Sequence, residues 1–228
     1  MMPRKHILLM GIILIVQFAF TLAVYSRLPE RVPVHFGLSG EPDAYGSKLV
    51  LALLVPLLSV ALGGLLAVLP VLGPHRANFE RFRITYGRIG VTVLGTLATI
   101  HGILMFKALG ADFNVGSAVC MVGGVVVALL GNWMGKLRRN FYVGIRTPWT
   151  LASEDVWRRT HRLGGKLMVV AGVIGGAAGA LAPPRVGLIV LIASLLAASG
   201  WALVYSYVIY RKFGGADDLS SSAPGKEA

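Results

Sequence analysis

Six apolar runs, at residues 7–24, 49–72, 89–106, 115–134, 167–182 and 186–210, decide what this chain can fold into. Each is close to the roughly 20 residues that a helix needs to cross about 30 Å of hydrocarbon. None shows the apolar/polar alternation of an outer-membrane strand, and lipid offers no partner to unpaired backbone, so helix is the remaining solution. Composition agrees: 55% of residues are hydrophobic and 14% charged, with a mean hydropathy of +0.71, far from the soluble globular range. The expected fold is an all-α integral membrane protein, a bundle of about six transmembrane helices. The first run follows Arg4 and Lys5 as a signal peptide would, but it is long for such a segment and no small-x-small cleavage site follows. It reads as a retained anchor.

A net charge of +12 would point to nucleic acid in a soluble protein. Here its distribution matters more. If the N-terminus is cytoplasmic and six spans alternate, 17 Lys and Arg fall on the inner side and five on the outer. That asymmetry fits the positive-inside rule, so both termini are expected in the cytoplasm of a multi-pass bacterial plasma (inner) membrane protein, without nucleic acid as partner. The lone Cys120 lies inside a span and has no partner for a disulfide.

The chain divides by composition into a two-span unit over 1–72, a four-span unit over 73–212 and a small, polar tail over 213–228 expected to be disordered. The outer loop of the first unit, 26–48, has Val32, Val34 and Phe36 alternating with Pro33 and His35, as in a short extended segment with one apolar face. Gly37, Gly40, Pro42 and Gly46 then impose turns. The second connection, 73–88, is basic and expected to be a helical extension with Phe79, Phe82 and Tyr86 at the headgroups. In the fifth run Gly172, Gly176 and Ala180 stand four apart, as do Gly175 and Gly179, and Gly131 and Gly135 repeat the spacing in the fourth. Small residues at this spacing admit another backbone, from a helix of the bundle or from a second copy in a homodimer.

The sequence "NFYVGIRTPWTLASEDVWRRTHRLGGK", 140–166, is the polar exception. Pro148 biases Thr147 away from the helical region. Ser153 is a good N-cap, with Glu154 and Asp155 in the first turn and i, i+4 pairs to Arg158 and Arg159. A short amphipathic interfacial helix is therefore expected before the fifth span, interrupted at Gly164 and Gly165. Phe141, Trp149 and Trp157 are expected at headgroup level and Arg158, Arg159, Arg162 and Lys166 against anionic inner-leaflet lipid. A basic, aromatic loop of this kind requires no further function on physical grounds alone.

The segment strongly resembles the signature of the SdpI-like family of bacterial membrane immunity proteins. Asn140, Gly144, Ile145, Arg146, Thr147, Pro148, Trp149, Thr150, Trp157, Thr160, His161, Arg162, Gly165 and Lys166 stand at the matching positions of the cytoplasmic loop 136–166. The outer "LPERVPVHFGLSGEPDAYGSK" separately resembles a short domain of unknown function that often precedes this signature, through Pro33, His35, Phe36, Gly40, Pro42, Asp43, Tyr45 and Gly46. The resemblance implies immunity to, or sensing of, a membrane-active toxin or antimicrobial peptide met outside the cell, and in the family's namesake a cytoplasmic transcriptional repressor held at the membrane. It implies no catalytic residue.

The residues themselves offer little chemistry. The proposed spans contain no Asp or Glu, although ionisable groups cost roughly 2.5–3.5 kcal/mol at a helix centre and persist where function or pairing holds them. His101 is the one ionisable residue well inside a span, either a hydrogen-bonded packing histidine or part of a proton or metal path. The five histidines lack zinc-site spacing, and His35 with Glu41 and Asp43 is at best a weak outer cation site. No nucleophile elbow or phosphate loop is present. No metal, no cofactor and no enzyme activity are expected. The alternative to a receptor is a small-molecule permease or lipid-handling component whose basic loops only orient it.

Overall fold

A computed structural model describes residues 2–72, 79–140 and 142–214. The sequence expectations for Phe141, His75, Arg76 and the tail beyond Gly214 lie outside the described residues. Six helices are long and apolar enough to cross a membrane. In chain order the elements are α1 (Arg4–Tyr25), β1 (Arg31–Phe36), β2 (Pro42–Ser47), α2 (Lys48–Leu72), α3 (Arg83–Ala108), α4 (Val115–Met134), the short α5 (Pro148–Ala152), α6 (Glu154–Leu181) and α7 (Pro184–Ile209). A π-helical turn over Tyr210–Gly214 follows, so Phe213 and Gly214, assigned by sequence to the tail, extend the last helix.

The bundle turns its polar groups inward and its aliphatic groups outward, the arrangement that lipid favours. On α1 the buried residues are His6, Met10, Gln17 and Thr21, spaced by four, seven and four to make one face. Leu8, Ile15 and Leu22 on the other face are largely exposed. Thr21 donates its hydroxyl hydrogen to the Gln17 carbonyl at 2.8 Å and meets His101 Nε2 at 2.9 Å. With that hydrogen committed, the His101 ring is the donor, and α1 is tied to α3 in mid-bundle as a packing histidine would tie it.

The centre of the bundle is α6, packed against α4 on one side and α7 on the other. Its glycines make this possible. A Cβ on Gly131 would lie 2.7 Å from the Gly165 carbonyl oxygen, and one on Gly165 would lie 2.6 Å from that of Gly131. Further along, a Cβ on Gly124 would overlap the backbone of Gly176, and one on Gly172 would stand 2.5 Å from the Ala128 nitrogen. Gly175 receives Leu191 of α7, and Gly179 lies between Cys120 and Gly187. The four-residue spacing thus serves contacts within the bundle.

Four expectations need correction. Gly164 and Gly165 do not break the helix: α6 runs unbroken for 28 residues, about 42 Å at 1.5 Å per residue. Its first turns are the expected interfacial helix, continuous with the span, because Gly165 lies against the α4 backbone and Gly164 is packed among Ile145, Met134 and Ala202. Phe79, Phe82 and Tyr86 are not at the headgroups but buried, packed edge to face with centroids 5.3 Å apart for both Phe79–Phe82 and Phe79–Tyr86. Trp157 is likewise fully buried in the same cluster, together with Met2, Met10 and Leu137. Finally, the outer loop is a β-hairpin whose register slips between Pro33 and Phe36. That irregularity leaves Val34 without a register partner and exposed, while Val32 is buried under Leu28, Leu51 and Met105.

The packing gives a direct test. Gly131→Val should cost about 1–3 kcal/mol of overpacking and lower the unfolding temperature in detergent. Gly95→Ala, where a Cβ meets nothing within 4 Å, should leave that temperature level or slightly raised.

Candidate functional site

The signature segment folds into a cap over one end of the bundle, and nearly every matched residue has a local task. Past α4, Asn140 is buried and spans the turn with its whole amide. Its Nδ2 donates to the carbonyls of Arg138 and Val143 at 2.7 and 3.2 Å, and its Oδ1 accepts from the backbone of Tyr142 and Val143 at 2.7 and 2.8 Å. An aspartate could not donate the first pair of bonds. Gly144 follows with φ +123, where an L side chain is strained and a Cβ would overlap His161.

His161 is the pin of the cap. The Ile145 backbone N–H donates to its Nε2 at 3.0 Å, which requires a lone pair there. Its Nδ1 lies 2.8 Å from the Trp157 carbonyl, which requires a hydrogen there. Together these bonds select the neutral Nδ1–H tautomer. The ring stacks on Trp157, centroids 3.9 Å apart, and Trp157 in turn donates from Nε1 to the Leu137 carbonyl at 3.0 Å. One buried Trp–His pair therefore joins α6, the end of α4 and the loop.

Thr147 and Thr150 form a reciprocal cap at the start of α5: the Thr150 N–H donates to Thr147 Oγ1 at 3.2 Å and the Thr147 N–H to Thr150 Oγ1 at 2.9 Å. Pro148 occupies the first helical turn, where its missing N–H costs nothing. Trp149 reaches α7, donating from Nε1 to Ser206 Oγ at 2.5 Å and packing edge to face on Tyr207. Its indole N–H is thus committed to the bundle rather than offered to lipid. Ser206 passes its own hydrogen to the Leu203 carbonyl at 2.6 Å.

At the start of α6, Ser153 is the N-cap, as expected. Asp155 takes both Arg158 and Arg159, at 2.5 and 2.6 Å. The expected Glu154–Arg158 pair is absent; Glu154 faces Arg139 at 3.6 Å. Arg139 also donates to the last carbonyls of α5, Leu151 and Ala152, both at 3.1 Å. Arg139, Ser206 and Leu137 were not legible as site residues, since each acts through a backbone group or across a long sequence gap. Arg146, Arg162 and Lys166 are exposed.

The Pro-x-His-Phe residues gather at the other end of the bundle. His35 Nδ1 meets Asp43 Oδ1 at 2.5 Å, Pro33 pairs with Tyr45 and Phe36 with Pro42 across the hairpin, and Gly46 packs on Val34. Gly40, at φ +76, lies against Asn114 and Gly116 of α4, and Gly116 lies against Pro184 of α7. Asn114 Nδ2 donates to the Ser39 carbonyl at 2.9 Å while its Oδ1 accepts from the Ser117 N–H at 3.0 Å. Glu41 sits by Asn114, not by His35, so the three residues do not converge as a cation site. The two motifs are thus each assembled, at opposite ends.

Residues 136–206 match the model of the SdpI/YfhL protein family, and residues 12–60 that of a domain of unknown function, DUF1648. "Immunity protein SdpI" of Bacillus subtilis (strain 168) is 26% identical over 204 residues, covering 90% of this chain and 95% of the relative. Over residues 136–206 the chain is thus similar to the SdpI/YfhL family. An uncharacterized protein of Archaeoglobus fulgidus is 50% identical over 42 residues, 18% of this chain and 23% of that protein. No solved structure matches. With six apolar helices and this kinship, the chain is a multi-pass protein of the bacterial plasma membrane.

The cap should open when its pin is removed. His161→Ala leaves the Ile145 N–H unpaired, a loss of about 1–3 kcal/mol. Trypsin should then cut at Arg138, Arg139 or Arg146 faster in His161→Ala than in the parent protein, while Lys212 is cut at an unchanged rate.

Proposed function

We propose that this chain is a non-catalytic receptor that protects its own membrane against a membrane-active peptide. The observation that carries this reading is the near-full-length kinship with a protein named as an immunity protein, in a chain whose two motifs are both assembled. In this reading residues 1–72 hold the recognition element and residues 73–212 the responding one. The hairpin faces outward, offering Tyr45, His35 and Val34, and the signature cap faces the cytoplasm, where it engages a transcriptional regulator when peptide is bound.

The packing supports a route between the two ends. Asn114 fixes the hairpin to the first turn of α4, and the turn that follows α4 is bonded through Leu137 to Trp157. In between, α4 and α6 are in backbone contact. A ligand that displaced the hairpin would shift α4 against its glycine seam, and the cap with it. The response then lies in the seam and the Trp149–Ser206 latch rather than in a hinge at Gly164 and Gly165. A ligand drives such a change only by binding one arrangement better than the other.

Two measurements test the reading. In a toxin-sensitive bacterium challenged with membrane-active peptides, the parent chain should raise survival, and Tyr45→Ala or Arg146→Ala should abolish that gain at equal membrane levels. Equal survival with and without the chain across the peptides overturns it. Separately, with Cys120 replaced by serine, His35→Cys should react with an impermeant maleimide added outside intact cells and Arg146→Cys should not. Labelling of both from one side would overturn the assigned orientation.

A further inference from the structure

Beside the cap, between the first turns of α3 and α6 and the end of α4, lies an open cleft of about 620 Å³. Six cations line it: Arg81, Arg88, Lys136, Arg138, Arg158 and Arg162. Its two carboxylates are engaged at the rim, Glu80 with Arg83 at 3.3 Å and Glu154 with Arg139 at 3.6 Å. Arg88 and Lys136 both rest on the Trp133 ring, at 4.8 and 5.0 Å from its centroid. Their charges are thus held in place over an apolar base. Arg81, Arg138 and Arg162 form no ion pair among the described residues. Arg158 is held by Asp155; the other five cations converge on one concavity and repel one another, and an anion within it relieves that repulsion.

The position of the cleft selects the kind of anion. It opens where α4 has just ended and before α6 becomes continuously apolar at Leu167, the level of lipid headgroups. A second cavity, about 290 Å³, shares Gly135, Lys136 and Arg162 with it and continues along the α4–α6 seam past Gly131 and Gly165 to Val169. The continuation is an open groove, lined also by Asn132 and Lys166, and it runs from the basic cleft to Val169, where α6 is continuously apolar. A soluble phosphate or an acidic peptide would have no use for that extension, whereas a phospholipid has a tail to place there.

We propose that this cleft is a binding site for one anionic phospholipid, its phosphate among Arg88, Lys136 and Arg162 and an acyl chain along the α4–α6 seam. The bound lipid wedges α3 and α6 at a fixed separation beneath the cap. The site does not depend on the immunity reading, and it stands for either orientation of the chain.

The test uses the full chain in nanodiscs of equal phosphatidylglycerol and phosphatidylcholine, released for native mass spectrometry, with the retained lipid counted. The parent chain should keep one phosphatidylglycerol in preference to phosphatidylcholine. Arg88→Gln/Arg162→Gln should reduce that preference about 10- to 30-fold, as expected for two cations at a lipid surface. Arg211→Gln/Lys212→Gln, equal in charge but outside the cleft, should keep it. Both variants are first checked for an unchanged unfolding temperature; if the first fails, Lys136→Gln with Arg138→Gln takes its place. Equal selectivity in cleft and control variants overturns the proposal. So does displacement of the lipid by millimolar inorganic phosphate, which would make the occupant a soluble anion.

Discussion

The α4–α6 seam is the contact on which the rest of the molecule rests. In lipid no hydrophobic drive pushes helices together, since a leucine is as well solvated by acyl chains as by another helix, so close backbone approach has to supply the attraction. Gly124, Gly131, Gly165, Gly172 and Gly176 supply it, bringing the two backbones into direct contact over 124–131 of α4 and 165–176 of α6. The same closeness lines up α6 so that Trp157 and His161 emerge beneath the end of α4, where Leu137 offers its carbonyl. Separate the helices by one methyl group and Trp157 no longer reaches the Leu137 carbonyl.

That dependence explains why the signature residues are so varied in type and so uniform in purpose. Asn140 bonds four backbone groups of one turn, Gly144 leaves room for an imidazole, His161 fixes the next peptide, and two threonines cap a five-residue helix. A segment of mostly irregular backbone carries many donors and acceptors that water would otherwise satisfy. At the membrane surface, partly roofed by the aromatic cluster, it satisfies them internally. The cap is thus a small rigid body joined to the bundle at α4, α6 and, through Trp149, α7, and a perturbation at any of the three joints reaches the other two.

The spans and the inward use of glycine were legible because both follow from one strong rule, the exclusion of polar backbone and bulk from particular places. Ser153 and Thr147 were legible for the same kind of local reason. What failed was depth. Trp157, Phe79, Phe82 and Tyr86 stand among arginines, and that pattern is shared by a headgroup belt and by an aromatic cluster roofed with charges; only the three-dimensional closure of α3, α6 and the N-terminus of α1 separates them. The helix break expected at Gly164 and Gly165 failed similarly. Two glycines lower helix propensity by about 2 kcal/mol together, but the α4 backbone against Gly165 and the side chains of Ile145, Met134 and Ala202 around Gly164 hold both in the helix. Val34 shows the limit for strands, since a one-residue slip in register reverses a face that alternation alone assigns.

The two ends of the protein differ in how they are held. The cap is bonded to three helices through buried groups, whereas the hairpin touches the bundle chiefly through Val32 on one side and the Gly40–Asn114 contact on the other, with His35, Asp43 and Tyr45 left outside. Local stability follows the number of buried contacts, so the hairpin is the element that moves at least cost. Asn114 stands at the junction: one side chain donates to the Ser39 carbonyl of the hairpin and caps α4 by accepting from the Ser117 N–H, so the hairpin leaves only by breaking the Ser39 bond or by pulling on that cap. The hairpin is thus a weakly held element fastened to the start of a helix that lies backbone to backbone against α6 along the glycine seam.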